Sequence, residues 1–435
     1  MENKENNYNN YDNIDIDLLQ IDLRQTSEKK HKPILSFIKY ISSKILGLCK
    51  YISRYLWENK ILTVPVIVLI FAGITSAVVL KISTVSNAAA DFFTSTVSFV
   101  MRFAFAGLTN NIPFSLAEFA LCASVPLIIY LIFNFIFKIA YVKPKHKLPA
   151  FLKSIFRFIA FLCAFLFIFT FTFGVCYGRT PINEIINKTA DINFERRLIS
   201  SEDLIKSMQI LVEEANKTAE NIKYIYSDTG STKMPYNLNE LNKKLNESYK
   251  NLLSRHNFLN RINVNVKPVI MSVEMSKMHI AGIYIPFTGE ANINIDSPDY
   301  NLPFAAAHEM AHSMGIARED EANFTAFLVC LYSGDNYIKY SGLVNIIEYI
   351  SGALHRADNE KYNEIMSGIS YVIKNELNAY SIFFDKYRNT QISKVATAVN
   401  DTYLKSQGQE QGEKSYGLVV DLAVAYLVDV YGKIK

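Results

Sequence analysis

Two histidines flank a glutamate in the segment His308-Glu309-Met310-Ala311-His312. Residues four apart share one face of a helix, so His308 and His312 can direct imidazole nitrogens at a single Zn²⁺ ion. Glu309 lies further round the helix, where it can take a proton from a water molecule activated by zinc. The motif therefore predicts hydrolysis of peptide bonds by activated water, with Glu309 as general base.

A third protein ligand is expected shortly after the motif. Gly315 can end the first helix, but Arg318 stands where the longer H-E-x-x-H-x-x-G-x-x-H pattern has its third histidine, and arginine stays protonated. Glu319, Asp320 and Glu321 follow and open a second predicted helix. We favour Glu321 as the ligand of a two-histidine, one-glutamate site, because negative charge at a helix N-terminus is explanation enough for Glu319 and Asp320.

Several stretches outside the motif carry a resemblance to a known family. They are Phe287-Thr288-Gly289-Glu290-Ala291-Asn292, Pro303-Phe304, Glu319-Asp320-Glu321-Ala322-Asn323-Phe324, Tyr340-Ser341-Gly342, Tyr403-Leu404-Lys405 and Ser415-Tyr416-Gly417. With the motif, they resemble an uncharacterised family of bacterial membrane proteins that carry a zincin-like, gluzincin-type peptidase domain. The resemblance implies a membrane-anchored zinc metallopeptidase acting on a protein or peptide. The alternative is a non-catalytic receptor or scaffold with structural zinc, which would not need Glu309 as a base.

Composition indicates a membrane protein. Half of the 435 residues are hydrophobic although 20% are charged, so the apolar residues must be concentrated in segments. The net charge is only +4 and the basic residues cluster beside apolar segments, so no nucleic-acid partner is expected. Five cysteines show neither metal-binding nor paired spacing, and a disulfide framework is not expected.

The apolar segments predict three transmembrane helices within residues 61–178, at about 61–80, 113–137 and 155–177. Residues 1–33 are predicted to form a disordered cytoplasmic tail, and residues 34–60 a basic amphipathic helix on the inner membrane surface. Lysine and arginine precede the first span and lie between the second and third, which predicts a cytoplasmic N-terminus and an extracytoplasmic domain over residues 179–435. We expect a multi-pass protein of the cell membrane, with Phe92 to Leu108 along the outer surface. Because the motif is far along the chain from any span, a site at membrane depth is not expected.

The predicted fold class is α+β, with three transmembrane α-helices followed by a mainly helical zincin-like domain containing a small β-sheet. Ser200 and Asn237 are predicted N-caps of helices. Strands are predicted over 269–275, 280–285 and 291–295, and an extended substrate is expected to pair along 290–295. Tyr340, His355 and Tyr416 are residue types that could hydrogen-bond the oxyanion, although packing is the commoner role for each.

Overall fold

The computed structural model describes residues 16–224, 226–227, 230–388 and 390–434. These residues divide into two compact units, one within residues 16–67 and 137–158 and the other within residues 68–136 and 159–434. In the first unit, helix α1 runs over Ile16–Glu58, so it begins well before the predicted start at residue 34. Of the predicted disordered tail, residues 1–15 lie outside the described residues.

Five helices make up the apolar part of the chain: α2 Val64–Val85, α3 Asn87–Ser95, α4 Val97–Thr109, α5 Leu116–Tyr141 and α6 Lys147–Thr172. Four segments of the described chain are long and apolar enough to cross a membrane. Helices α2, α5 and α6 overlap the three predicted spans, and α3 with α4 forms a fourth candidate, Asn87–Thr109. The fourth candidate is broken at Thr96, whose backbone leaves helical geometry between α3 and α4.

The remaining helices belong to the second unit. They are α7 Ile182–Ala190, α8 Ser201–Glu220, α9 Leu238–Arg255, α10 Ser272–Lys277, α11 Leu302–Ser313, α12 Glu319–Leu331, α13 Asn336–Ala357, α14 Asn359–Ser367, α15 Tyr371–Asp385, α16 Gln391–Ser406, α17 Val419–Tyr426 and α18 Gly432–Ile434. The two predicted caps are confirmed. Ser200 Oγ accepts a hydrogen bond from the Asp203 amide over 3.1 Å, and Asn237 Oδ1 accepts one from the Glu240 amide over 3.0 Å.

A three-stranded sheet lies in the same unit, with β1 at Lys267–Pro268, β2 at Gly282–Ile285 and β3 at Glu290–Ile293. The strand order is β1-β3-β2, with β3 parallel to β1 and antiparallel to β2. The predicted strand over 269–275 was wrong, because most of that segment forms α10. The Glu118 carboxylate on α5 accepts hydrogen bonds from the Ile270 and Met271 amides just before α10, and local sequence cannot reveal that contact.

Helices α11 and α12 form the centre of this unit, and every residue of both is buried. Helix α11 packs against α12, α13 and strands β2 and β3. The run Ala305-Ala306-Ala307 and Ala311 presents small side chains, which lets neighbouring elements approach α11 closely. The histidine motif is therefore held on a buried helix between a second helix and the sheet.

Candidate metal centre

Three side chains from α11 and α12 converge on one point. Glu319 Oε2 lies 3.2 Å from His308 Nε2 and 3.4 Å from His312 Nε2. One ligand-type atom from each residue lies within 4.8 Å of the other two. The two histidines meet as the i, i+4 spacing predicts, and Glu319 is the carboxylate that joins them.

Glu321, the residue favoured from the sequence, does not reach the histidines. Its Oε1 accepts hydrogen bonds from Arg318 Nη2 over 2.5 Å and from the Ile182 amide over 2.9 Å. Asp320 instead forms an ion pair with Arg196. Helix α12 begins at Glu319, and successive residues of a helix point about 100° apart, so only one of three consecutive carboxylates can face α11. We therefore replace Glu321 by Glu319 as the third candidate ligand.

Each imidazole has a hydrogen-bond partner on the nitrogen away from Glu319. His312 Nδ1 lies 2.6 Å from the carbonyl oxygen of Ile316, which can only accept, so this nitrogen donates. His308 Nδ1 lies 2.8 Å from Asn323 Oδ1. Such partners fix the ring orientation and leave Nε2 with a free lone pair for a metal. Asn323 was given no role from the sequence, but it lies four residues after Glu319, on the same face of α12.

The donor set suits a divalent cation. With Nδ1 donating, the two Nε2 atoms and the carboxylate of Glu319 bring three electron-pair donors together. Glu319 Oε2 is buried, and apart from the two Nε2 atoms at 3.2 and 3.4 Å it has no hydrogen-bond partner among the described residues. A buried acceptor without a donor is costly, whereas two imidazoles and a carboxylate are a usual ligand set of catalytic zinc.

The electrostatics of the cluster agree with a site for positive charge. Burial opposes ionisation of Glu319, but the two imidazoles hold the pKa of its carboxyl well below the usual range. Burial would lower the pKa of His312, yet the Glu319 carboxylate outweighs burial and raises this pKa to about 9. Burial raises the pKa of Glu309 to about 7, although His308, His312 and the Tyr284 amide counteract it. Metal binding competes with protons for such ligands.

Glu309 faces the sheet edge beside the histidines. The backbone amide of Tyr284 on β2 lies close enough to this carboxylate to help keep its pKa down. A Cβ atom on Gly282 would lie 2.6 Å from Glu309 Cγ and Oε1, far inside van der Waals contact. The glycine thus leaves room for the carboxylate next to β2.

The predicted substrate strand is corrected by the strand order. Residues 290–293 form β3, which pairs with β1 on one side and β2 on the other, so a peptide cannot add to it. In the described chain, β2 is the edge strand beside Glu309. The sequence could not reveal this order, because β1 joins β3 in parallel across a longer connection.

Two of the predicted oxyanion residues lie in other surroundings, and the side chain of Tyr416 falls outside the described residues. The Tyr340 ring packs 6.0 Å from that of Tyr224, and exposed His355 packs 4.9 Å from Tyr362. Tyr403 on α16 lies closer to the cluster. Its hydroxyl accepts a hydrogen bond from that of Tyr177 over 3.1 Å, and burial, with a contribution from the Glu319 carboxylate, raises its pKa to about 12.

Residues from the apolar region also reach the histidine helix. The ring of Phe173, directly after α6, contacts His312 edge-to-face with centroids 5.6 Å apart. Buried Arg102 on α4 donates to the carbonyl oxygen of Ser313 over 3.2 Å. A Cβ on Gly315, where φ is +92°, would lie 2.6 Å from Arg102 Nη1, so this turn needs glycine. Folding therefore brings the motif next to the apolar helices, although the two are far apart along the chain.

Comparison with known proteins gives one match, to a family model. No curated protein and no solved structure matches the chain. The family model carries the description "Protein of unknown function (DUF3810)" and covers residues 90–424, which include the apolar helices α4 to α6, the sheet and the histidine cluster. The chain belongs to this DUF3810 family.

Proposed function

We propose that this protein is a membrane-anchored metallopeptidase that hydrolyses peptide bonds with water activated by a divalent cation, for which zinc is the best fit. The observation that carries the proposal is the convergence of His308 Nε2, His312 Nε2 and Glu319 Oε2 on one buried point, with Glu309 beside them. A purely structural metal would not need a second acidic group held against the same site. The zincin-like fold expected from the resemblance is part of this proposal.

The roles of the side chains follow from their surroundings. His308, His312 and Glu319 would hold the cation, and the Asn323 and Ile316 oxygens would keep the imidazoles oriented. A bound zinc ion supplies Lewis-acid polarisation of a water molecule and of a carbonyl group. Glu309 takes the proton from the attacking water and delivers it to the leaving amine.

Substrate is expected to bind along β2. Ala281 O accepts from the Asn294 amide over 2.9 Å, and Ile283 is paired with Asn292. Because bonding alternates along an antiparallel strand, the main-chain groups of Gly282 and Tyr284 point away from β3. An extended peptide that pairs with this edge would pass directly beside Glu309.

We assign three membrane spans, α2, α5 and α6, and treat α3 and α4 as lying on the outer side. Both ends of the candidate Asn87–Thr109 bind residues that follow α6. Asp91 accepts from the Thr180 amide over 3.1 Å, and the Thr109 carbonyl accepts from Lys267 Nζ over 2.8 Å. The ends of a true span lie about 30 Å apart on opposite membrane faces, where one domain does not reach both. With lysines enriched before α2 and between α5 and α6, the metal site is then extracytoplasmic.

The direct test uses the full-length protein in detergent micelles, incubated with a mixture of soluble and membrane proteins. New peptide N-termini are counted by mass spectrometry for the wild type and for Glu309→Gln, with and without a chelator. We expect wild-type cleavage that the chelator stops and added zinc restores. Glu309→Gln should keep its zinc and lose cleavage by at least about 100-fold, the usual contribution of a general base.

Two outcomes would overturn the proposal. Undiminished cleavage by Glu309→Gln would remove the assigned base. Bound zinc without any cleavage by the wild type would instead favour the receptor or scaffold alternative.

A further inference from the structure

The membrane-facing side of the metal site is formed by the end of a span. Phe173 is the residue directly after α6, and its ring lies 5.6 Å from that of His312 and 5.3 Å from that of Tyr284. One side chain therefore separates a candidate ligand from the end of α6. With α6 as the third span, the site lies at the outer surface of the bilayer.

The edge strand β2 runs from this site toward the bilayer. Gly282 is in contact range of Glu309, whereas Phe287, in the turn after β2, lies 4.8 Å from the ring of Phe165 on α6. Phe165 is seven residues before the end of α6, which corresponds to about 10 Å along the helix. The path from Gly282 to Phe287 therefore leads from the catalytic glutamate to a level within the span.

Exposed side chains along this path are apolar. Ile283 is 42% exposed and Phe287 is 38% exposed. The rim of a site for water-soluble partners is commonly polar. An apolar rim that reaches the side of a span is instead suited to a chain that continues into lipid.

We propose that the substrates are membrane-anchored proteins, cut on the outer side of the membrane close to a transmembrane segment. This inference rests on the proposed peptidase function and adds its substrate class. Phe287 is five residues after Gly282 and already lies level with a residue about 10 Å inside the span, so the scissile bond is expected within about 5 residues of the hydrocarbon boundary. The substrate strand would pair with β2 while its anchor lies beside α6.

The test uses full-length protein reconstituted in vesicles of phosphatidylethanolamine and phosphatidylglycerol. The probe is a peptide library with eight randomised residues, joined to a single apolar transmembrane segment through spacers of about 3, 15 or 30 residues, a series chosen to bracket the expected reach. A second library has the same random and spacer sequences without the transmembrane segment. Products are identified and counted by mass spectrometry, with Glu309→Gln as the blank.

We expect the anchored library with the short spacer to be cut at least ten-fold faster than the anchored library with the longest spacer and than the soluble library. Equal rates for soluble and anchored libraries would overturn the substrate class while leaving the peptidase function in place. Cleavage of neither library above the Glu309→Gln blank would overturn the peptidase function, and this inference with it.

A pair of variants tests the path itself. Ile283→Asp places a charge on the proposed route, whereas Leu198→Asp changes a residue that is 99% exposed in the segment before α8. Ile283→Asp should slow cleavage of the short-spacer anchored library several-fold relative to Leu198→Asp. Equal rates for the two variants would exclude β2 from the path and contradict the proposal.

Discussion

Arg102 and Ser313 join the apolar region to the histidine helix. Arg102 Nη1 donates to the Ser313 carbonyl over 3.2 Å, one residue after His312, while Nη2 and Nε donate to Thr94 O and Ser98 Oγ. A guanidinium is well suited to a helix C-terminus, where carbonyl groups lack partners. The last turn of α11 is thus held by the apolar helix α4.

Replacing Arg102 should weaken this connection between α4 and the end of α11. Arg102→Met leaves the buried carbonyls of Ser313 and Thr94 without donors, at an expected cost of about 2 to 4 kcal/mol in the free energy of unfolding. The melting temperature in detergent and the zinc content should both fall. Arg388→Met is the control, because Arg388 is exposed and its pair with Asp385 is worth about 1 kcal/mol at most. Equal effects of the two variants would refute a holding role for Arg102.

Glu309 lies so close to β2 that one methyl group added at Gly282 should reduce peptide cleavage. Gly282→Ala would bring Cβ within 2.6 Å of Glu309 Oε1 and 2.9 Å of the Asn292 carbonyl, so the glutamate must move. We expect zinc binding to be retained and peptide cleavage to fall at least ten-fold, since small misplacements of a catalytic group are costly. Gly334→Ala is the matched control, because no atom lies within 4 Å of its added Cβ. Wild-type cleavage by Gly282→Ala would show that Glu309 acts elsewhere.

A buried carboxyl outside the candidate metal centre predicts a pH dependence of stability. Burial raises the pKa of Glu376 from 4.5 to about 7, although its carboxylate accepts from the Thr232 amide. The folded state therefore favours the protonated form. The contribution of this protonated carboxyl to the free energy of unfolding is fully present below pH 4.5. It is lost as pH rises toward 7, by at most about 3 kcal/mol.

Glu376→Gln imitates the protonated form and should flatten this dependence. Melting temperatures between pH 4.5 and 8 would be compared with those of Glu364→Gln, which changes an exposed carboxylate paired with Lys361. An unchanged pH slope in Glu376→Gln would assign the effect to other groups.

The sequence predicted the features that depend on local spacing. The motif histidines converge because four residues make about one helical turn, and Ser200 and Asn237 cap helices as their side chains allow. The choice of Glu319 over Glu321 depended on where α12 begins. The sequence feature that could have indicated Glu319 is its i, i+4 spacing to Asn323, because both side chains face His308.

Features set by contacts between distant segments could not be predicted in this way. Glu118 of α5 binds the two amides just before α10, and β3 is made central by its parallel pairing with β1. The contact between Phe173 and His312 likewise joins residues far apart in the chain. Neither periodicity nor composition carries information about such pairs.

The most direct test of the account is the zinc content of purified full-length protein after loading and dialysis, compared between Glu319→Gln and Glu321→Gln. These variants make the same chemical change two residues apart. We predict about one zinc per chain in the wild type and in Glu321→Gln, and an affinity at least about 100-fold weaker in Glu319→Gln. A folded wild-type protein that holds no divalent metal, or zinc lost from Glu321→Gln but kept by Glu319→Gln, would contradict the assigned centre.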